Sequence, residues 1–244
     1  MRNTAIIIPV RLAAKRFPNK PFAKINNVPM ITHVVNRAKE SKVGEVFVAT
    51  PDEEIFDMVN KNGGNAILTK QDHPSGSDRV YEVYSQKLKK DVDLIMNLQG
   101  DMPNIKPKTI SKLENLMKNN NDCDIGTLAS PISNESEIGN LNIVKVCVDQ
   151  KLKDDSFLKA KDFFRKKDRF IREKTYHHLG IYIFTKDALT RYVNLKRSKL
   201  EIERNLEQMR AMENNMTVKV GLTNSMPLSV DTEEDLKKLE KEMS

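Results

Sequence analysis

The pattern of apolar and polar positions changes character about half-way along the chain. Near the start, Ala5 to Ile8 is an unbroken apolar run rich in β-branched residues. Such a run predicts a strand buried on both faces, ended at Pro9 because proline has no N–H to continue a ladder. Met30, Ile31, Val34, Val35 and Ala38 then recur at helical spacing, predicting a helix from about Met30 to Ser41. Glu45 to Thr50 reads as a strand. Ile55, Met58 and Val59 mark a second helix, stopped by Gly63-Gly64. Asn65 to Thr69 is another strand, and Val80, Val83 and Tyr84 form the stripe of a third helix. Leu94 to Leu98 is a buried strand, followed by a helix with Ile110, Leu113, Leu116 and Met117 inward. This alternation, kept up to about Asn120, calls for a mostly parallel sheet with helices on both faces.

The remainder is less regular. Ile125 to Ala129, Ile143 to Val148, His178 to Phe184 and Thr217 to Leu222 read as strands, and Leu200 to Met212 as one helix. Lys159 to Lys174 is highly charged and has no clear period, which predicts a mobile loop or arm. Thr232-Glu233-Glu234-Asp235 is a capping box that opens a last helix, with Leu236 and Leu239 inward. The fold class expected is α/β: a mixed, mostly parallel sheet in one domain over residues 1–244, with no repeat and no low-complexity linker. Its halves meet at about residue 130, and the second carries a small irregular arm.

Composition narrows the class. A chain of 244 residues, 39% hydrophobic and 31% charged, can bury a real core. No apolar run approaches the roughly 20 residues of a membrane span. The N-terminus enters the first strand directly, unlike a signal peptide. Cys123 and Cys147 have no metal-ligand spacing and are too few for a disulfide framework, so a reducing, cytoplasmic setting is the default. The net charge, 41 − 34 = +7, suits nucleic acid or a small polyanion. Cations alternate with Asp and Glu and form no aromatic-studded stripe, which favours a nucleotide over nucleic acid.

The cations nearest the first strand carry the most specific chemistry. Arg11, Lys15, Arg16 and Lys20 share one loop with Pro18 and Pro21. They repel one another unless an anion sits among them, and loops at the carboxyl ends of parallel strands are where α/β sheets bind ligands. Arginine forks match phosphate oxygens. The plainer reading is a solvated basic loop. With no Gly-x-x-x-x-Gly-Lys-Ser/Thr, side chains rather than a backbone cradle would hold phosphate. Gln99-Gly100-Asp101 closes the strand Leu94 to Leu98, and Asp231 follows Leu228-Ser229-Val230. Two carboxylates at such positions suit Mg2+; equally, Asp101 can be a turn residue and Asp231 part of the capping box beside it. His73 to Arg79, with Ser75 and Gly76, caps a helix and offers a close-approach point for a ring. His178, Glu207 and Gln208 read on their own as a structural histidine and a solvated helix face.

These pieces, taken in order, resemble the CMP-sugar synthetases. They are the first loop Pro9-Val10-Arg11 to Arg16-Phe17-Pro18-Asn19-Lys20-Pro21, then His73-Pro74-Ser75-Gly76-Ser77-Asp78-Arg79, Asn97-Leu98-Gln99-Gly100-Asp101, His178-Leu179-Gly180-Ile181-Tyr182, Leu206-Glu207-Gln208-Met209-Arg210 and Val230-Asp231-Thr232. The set covers nearly the whole chain. The resemblance implies a nucleotide-diphospho-sugar transferase fold of the glycosyltransferase-A type. It implies transfer of CMP from CTP to a 3-deoxy-keto sugar acid such as Kdo, with Mg2+, for lipopolysaccharide or another surface glycan. It also implies a cytoplasmic homodimer joined through the second half.

Residue by residue, the resemblance gives Arg11, Arg16 and Lys20 the triphosphate and gives Asp101 and Asp231 the metal; these five are the catalytic set. Pro9, Lys15, His73, Ser75, Gly76, Arg79 and Gln99 complete the nucleotide site, within a nucleotide-binding half of about residues 1–130. Sugar recognition falls to Gln99, His178, Tyr182, Glu207 and Gln208, with Lys159 the cation nearest to the family's missing arginine and Arg204 expected to take over part of the carboxylate or hydroxyl recognition; all but Gln99 lie in the half of about 131–244. The chain departs from the family pattern at four places: Met102-Pro103 after Asp101, Phe157-Leu158-Lys159 for Phe-Ser-Arg, Arg204 where the family has a glutamate, and Ala14 for serine. These leave open an 8-amino Kdo or other nonulosonic acid as substrate, or a nucleotide-binding protein without turnover.

Overall fold

β1 (Thr4–Pro9) forms where the apolar run predicts it, its first five residues buried. The structure, a computed structural model, describes residues 2–13, 17–132 and 134–243. Its chain divides into two compact units, residues 1–112 with 227–244 and residues 113–226.

The first unit realises the predicted alternation almost element for element. A hairpin of β2 (Lys24–Ile25) and β3 (Val28–Pro29) comes first, and sequence periodicity is silent about strands so short. It turns on Asn26 and Asn27, at φ 49° and 64°; paired asparagines supply the left-handed conformations a type I′ turn needs. α1 (Met30–Glu40) buries the predicted stripe of Met30, Ile31, Val34, Val35 and Ala38. β4 (Glu45–Thr50), α2 (Glu53–Lys61), β5 (Ala66–Leu68), α3 (Gly76–Val83) and β6 (Leu94–Asn97) follow. Gly63, at φ 72°, turns the chain out of α2 as expected. The strands lie in the order β5-β4-β1-β6, all parallel, with Ile6 opposite both Val46 and Met96. The carboxyl ends of β1 and β6 therefore face the same way, and the loops leaving them lie side by side. In sequence, α4 (Pro107–Lys118) straddles the boundary between the units.

The second unit is built from β7 (Ile125–Pro131), α5 (Glu135–Gly139), β8 (Lys145–Val148), β9 (Phe157–Phe164), β10 (Thr175–Thr185) and α6 (Lys186–Val193). α7 (Lys199–Arg204), α8 (Gln208–Glu213) and β11 (Val218–Leu222) complete it. Its strands run β10-β7-β11-β9-β8, and β8 pairs back onto β10, so the pairings close a ring. Among the described pairings of this unit, only that of β7 with β11 is parallel.

Two expectations are corrected in this unit. Residues 159–164, expected in a loop, belong to β9, which pairs with both β8 and β11. A register shift opposite Cys147 and Val148 breaks the alternation, so Phe157, Ala160, Phe163 and Phe164 turn inward at unequal spacing and no period shows. Residues 200–212, expected as one helix, form two. Asn205 adopts the left-handed conformation, φ 52°, between them. A tertiary pairing explains the break: Arg210 donates to both oxygens of the buried Glu201 at 2.6 and 2.8 Å. On an unbroken helix, residues nine apart would lie on opposite sides, at 3.6 residues per turn.

The chain ends in the first unit with α9 (Glu233–Met243). The predicted capping box is present, reciprocal between Thr232 and Asp235. Ile25, Met30, Val230 and Leu239 are buried together, with Phe17, Leu228, Leu236 and Met243 packed around them. Both cysteines are buried and free. Among the described residues, no helix is long and apolar enough to cross a membrane.

Candidate active site

The site in the first unit begins where β1 ends. Pro9 stops the strand, and two bonds fix the outgoing backbone: Val10 N–H to the Ala49 carbonyl, 2.9 Å, and Leu12 N–H to Asp52 Oδ2, 2.7 Å. Beside it, Gln99-Gly100-Asp101 leaves β6. A Cβ on Gly100 would lie 2.7 Å from Val10 Cγ2, so only glycine lets these two loops close on each other. The third segment of the site is the stretch that precedes α9. Val230 N–H donates to the Asp101 carbonyl at 3.0 Å, which seats Asp231 next to Asp101. The apolar cluster around Val230 and Leu239 holds that segment in place.

These segments enclose a cleft of about 380 Å³, lined by Pro9, Arg11, Lys20, Gln99, Asp101 and Asp231 among others. Six residues predicted from the sequence are thus brought together, although Asp231 is 211 residues from Lys20. Lys15 and Arg16 lie outside the described residues. Lys20 organises the cleft. Its ammonium donates to the Val230 carbonyl at 2.8 Å, to Asp101 at 3.1 Å and to Asp231 at 3.3 Å. Two carboxylates reaching one cation fit a single divalent ion whose other ligands are phosphate oxygens and water. No group of three or more His, Cys, Asp or Glu side chains able to hold a metal occurs among the described residues.

The His73 to Arg79 segment meets the first loop at Gly76, where a Cβ would lie 3.3 Å from Pro9 Cγ. Ser75 caps α3 by accepting from Asp78 N–H and donates to the Asp78 carboxylate. Gln99 donates to Asn97 at 3.1 Å, and Asn97 reaches the Ser77 hydroxyl at 3.4 Å. Arg79 and His73 turn away from the cleft. Arg79 is 3% exposed, and its guanidinium donates to Thr69 Oγ1 and to the carbonyls of Lys70 and Gln71. Burial, then the neighbouring Arg11, lowers its pKa. His73 pairs with Glu82, which also accepts from Lys70 N–H. Both side chains hold the segment that precedes α3 rather than pointing at open space.

The second unit treats its predicted residues differently. His178, expected to begin a strand, lies three residues into β10 and is buried. The Thr127 hydroxyl donates to the Ile181 carbonyl at 2.7 Å and lies 3.0 Å from His178 Nε2, so the ring nitrogen carries the proton between them. Burial pushes the His178 pKa down to about 3, so the ring is neutral at ordinary pH. Tyr182 packs against it, ring centroids 5.4 Å apart. Glu207 is exposed where α8 starts, and Gln208 is buried as its first residue. Lys159 is exposed on β9. Arg204 donates to Asp162 and to the Phe163 carbonyl, 2.8 Å. Asp162 also accepts from Arg169 at 3.0 Å.

Sequence reasoning missed two features of the first site. Asp52 and the bridging position of Lys20 both depend on contacts 40 or more residues apart, and neither has a local signal.

Comparison with known proteins supplies the family. Residues 5–219 match the model of the cytidylyltransferase family. The chain belongs to that family. Curated relatives of this cytidylyltransferase include the 3-deoxy-manno-octulosonate cytidylyltransferase of Brucella anthropi, 42% identical over 96% of this chain and 93% of its own. That of Thermodesulfovibrio yellowstonii is 43% identical over 98% and 97%. Among solved structures, CMP:2-keto-3-deoxy-manno-octonic acid synthetase complexed with CTP superposes with a TM-score of 0.90 at 33% identity, over 99% of this chain and 98% of the other. Arg11 and Lys20 of the first loop, Asp101 after β6 and Asp231 before α9 are where this cytidylyltransferase gathers its cleft charges.

Proposed function

We propose that this cytidylyltransferase transfers CMP from CTP to 3-deoxy-manno-octulosonate (Kdo), releasing pyrophosphate. The observation that carries the reading is the cleft in which Lys20 bridges Asp101 and Asp231 beside Arg11, in a chain aligned nearly end to end with 3-deoxy-manno-octulosonate cytidylyltransferases. The anomeric hydroxyl oxygen of the sugar attacks the α-phosphorus and gives up its proton to water, the bond from that phosphorus to the bridging oxygen breaks, and pyrophosphate leaves with the electron pair. Phosphoryl-type transfer needs positioning and charge stabilisation more than covalent help. Arg11, with Lys15 and Arg16 of the same loop, grips the triphosphate, and Lys20 steadies charge on the leaving group. Asp101 and Asp231 would hold Mg2+, which supplies Lewis acidity at the phosphate and lowers the pKa of the attacking hydroxyl. Gly76, Ser75 and Pro9 leave room for the nucleoside, with Gln99 between nucleotide and sugar; Arg79 and His73 keep the wall behind it in place.

Sugar recognition is assigned to Lys159, His178, Tyr182, Arg204, Glu207 and Gln208 of the second unit. A homodimer working in the cytoplasm, feeding lipopolysaccharide or another surface glycan, completes the reading.

A second reading keeps the chemistry and changes the sugar to 8-amino Kdo or another nonulosonic acid. It is favoured by Arg204, which stands where the CMP-sugar synthetases carry a glutamate and is held by Asp162. Pyrophosphate release from CTP and Mg2+, measured across Kdo, 8-amino Kdo and sialic-type acids, separates the two. Turnover fastest with Kdo supports the first reading. CTP binding without turnover on any sugar would leave a nucleotide-binding protein.

A further inference from the structure

Asp52 occupies the N-cap position of α2, where an aspartate ordinarily accepts from its own helix. Here it makes no such bond. Its carboxylate reaches 40 residues back along the chain and accepts the Leu12 N–H at 2.7 Å, the distance of a charge-assisted bond. Its own N–H is held by Thr50 Oγ1 at 3.2 Å, at the end of β4. The acceptor is therefore fixed to the carboxyl end of a sheet strand, and the loop it grips is the one that carries Arg11 into the cleft.

We propose that Asp52 is a positioning residue for triphosphate binding: it anchors the basic loop at Leu12 and so sets where Arg11 presents its guanidinium. This rests on the nucleotide reading given above. A carboxylate beside an anion site is otherwise hard to explain, because it repels the ligand. The surrounding charges fit the proposal: Arg79, buried on α3, feels both Arg11 and Asp52. Asp52 offsets at Arg79 part of the repulsion that Arg11 exerts, and its carboxylate accepts a bond from the backbone of the loop. The stabilised loop, not the carboxylate itself, meets the phosphates.

The sign of the effect makes this testable. Were Asp52 only a nearby negative charge, Asp52→Ala would tighten CTP. As a positioning residue, its loss weakens CTP by about tenfold, the scale of one charge-assisted hydrogen bond. CMP, with fewer phosphates for the loop to grip, loses less. Asp52→Asn keeps an acceptor oxygen and recovers most of the loss. The measurements are titration calorimetry of CTP and CMP on wild type and both variants, with the KM for CTP alongside kcat. KM rises and kcat changes little. Thermal unfolding run in parallel identifies a variant that has merely lost its fold, and Asp52→Asn then carries the test. Unchanged or tighter CTP binding, equal losses for CTP and CMP, or an Asn variant as weak as Ala would overturn the proposal. A wild-type protein that binds no CTP would instead defeat the nucleotide reading itself.

Discussion

The two units use charge in opposite ways. In the first, Arg11, Lys20, Asp101 and Asp231 converge on an open cleft, where Lys20 reaches both carboxylates. In the second, charge is consumed inside the fold. Glu201 and Arg210 form a buried bidentate pair, Arg204 and Arg169 share Asp162, and His178 is neutral against Thr127. Lys145 is completely buried, its ammonium donating to the carbonyls of Asn140, Ile143 and Arg165 at 2.8, 3.3 and 2.8 Å. Burial holds its pKa below the ordinary lysine value. Apart from Arg79 and the His73–Glu82 pair, which hold the segment before α3, the parallel unit gathers the charges named here around its cleft; the ring of mixed strands uses charge to hold irregular segments. Substitutions in the first unit should therefore move turnover and leave stability, and those in the second should do the reverse.

The sharpest break of that contrast is Asp101→Asn, which should lower pyrophosphate release by about a thousandfold, some 4 kcal/mol, with unfolding unchanged. A variant that turns over like wild type at limiting Mg2+ would show that the pair holds no metal. Next is Glu201→Ala in the second unit. It removes the carboxylate that the Arg210 guanidinium, 4% exposed, donates to twice, and should cost about 3 kcal/mol in urea unfolding while leaving CTP affinity as it was. A stability loss below half a kcal/mol would mean the pair does not hold α7 to α8.

Arg204→Glu sharpens the comparison, since Arg204 is both structurally paired and assigned to the sugar. Facing Asp162, the new carboxylate should cost about 1 kcal/mol, the scale of a partly exposed pair, and shift the preference among Kdo, 8-amino Kdo and sialic-type acids. An unchanged order and affinity with lowered stability would place Arg204 wholly on the structural side. The smallest effect near neutrality is that of His178. Burial first, then His177 and Arg165, lowers its pKa from the ordinary 6.5 to about 3. The unfolded chain thus binds a proton over that range that the folded one does not. Its contribution is complete above pH 6.5 and is lost as pH falls toward 3, at up to about 1.4 kcal/mol per pH unit. His178→Gln should flatten the stability-against-pH curve between those values; an unaltered slope would mean that the ring is protonated in the fold.

What the sequence determined by itself is local. β1, α1, β4 and β6 were legible because strands buried on both faces and single-striped helices write their period directly into the chain. Gly63 and the Thr232–Asp235 box were legible because turn and cap chemistry act within four residues. The cleft residues were legible as types in the segments that follow apolar runs, Arg11, Asp101 and Asp231 among them. Only the tertiary structure decided which of them meet. Lys20 finds Asp231 across 211 residues, Asp52 leaves its own helix for Leu12, and Arg79 turns into the fold to hold Thr69 to Gln71. It also decided β9, whose period a register shift erased, and the break at Asn205 that lets Arg210 reach Glu201. A side chain's periodicity is fixed by its neighbours in sequence, but its hydrogen-bond partner is fixed by whichever group the packed core brings within 3 Å, and chain order alone carries no distance between them.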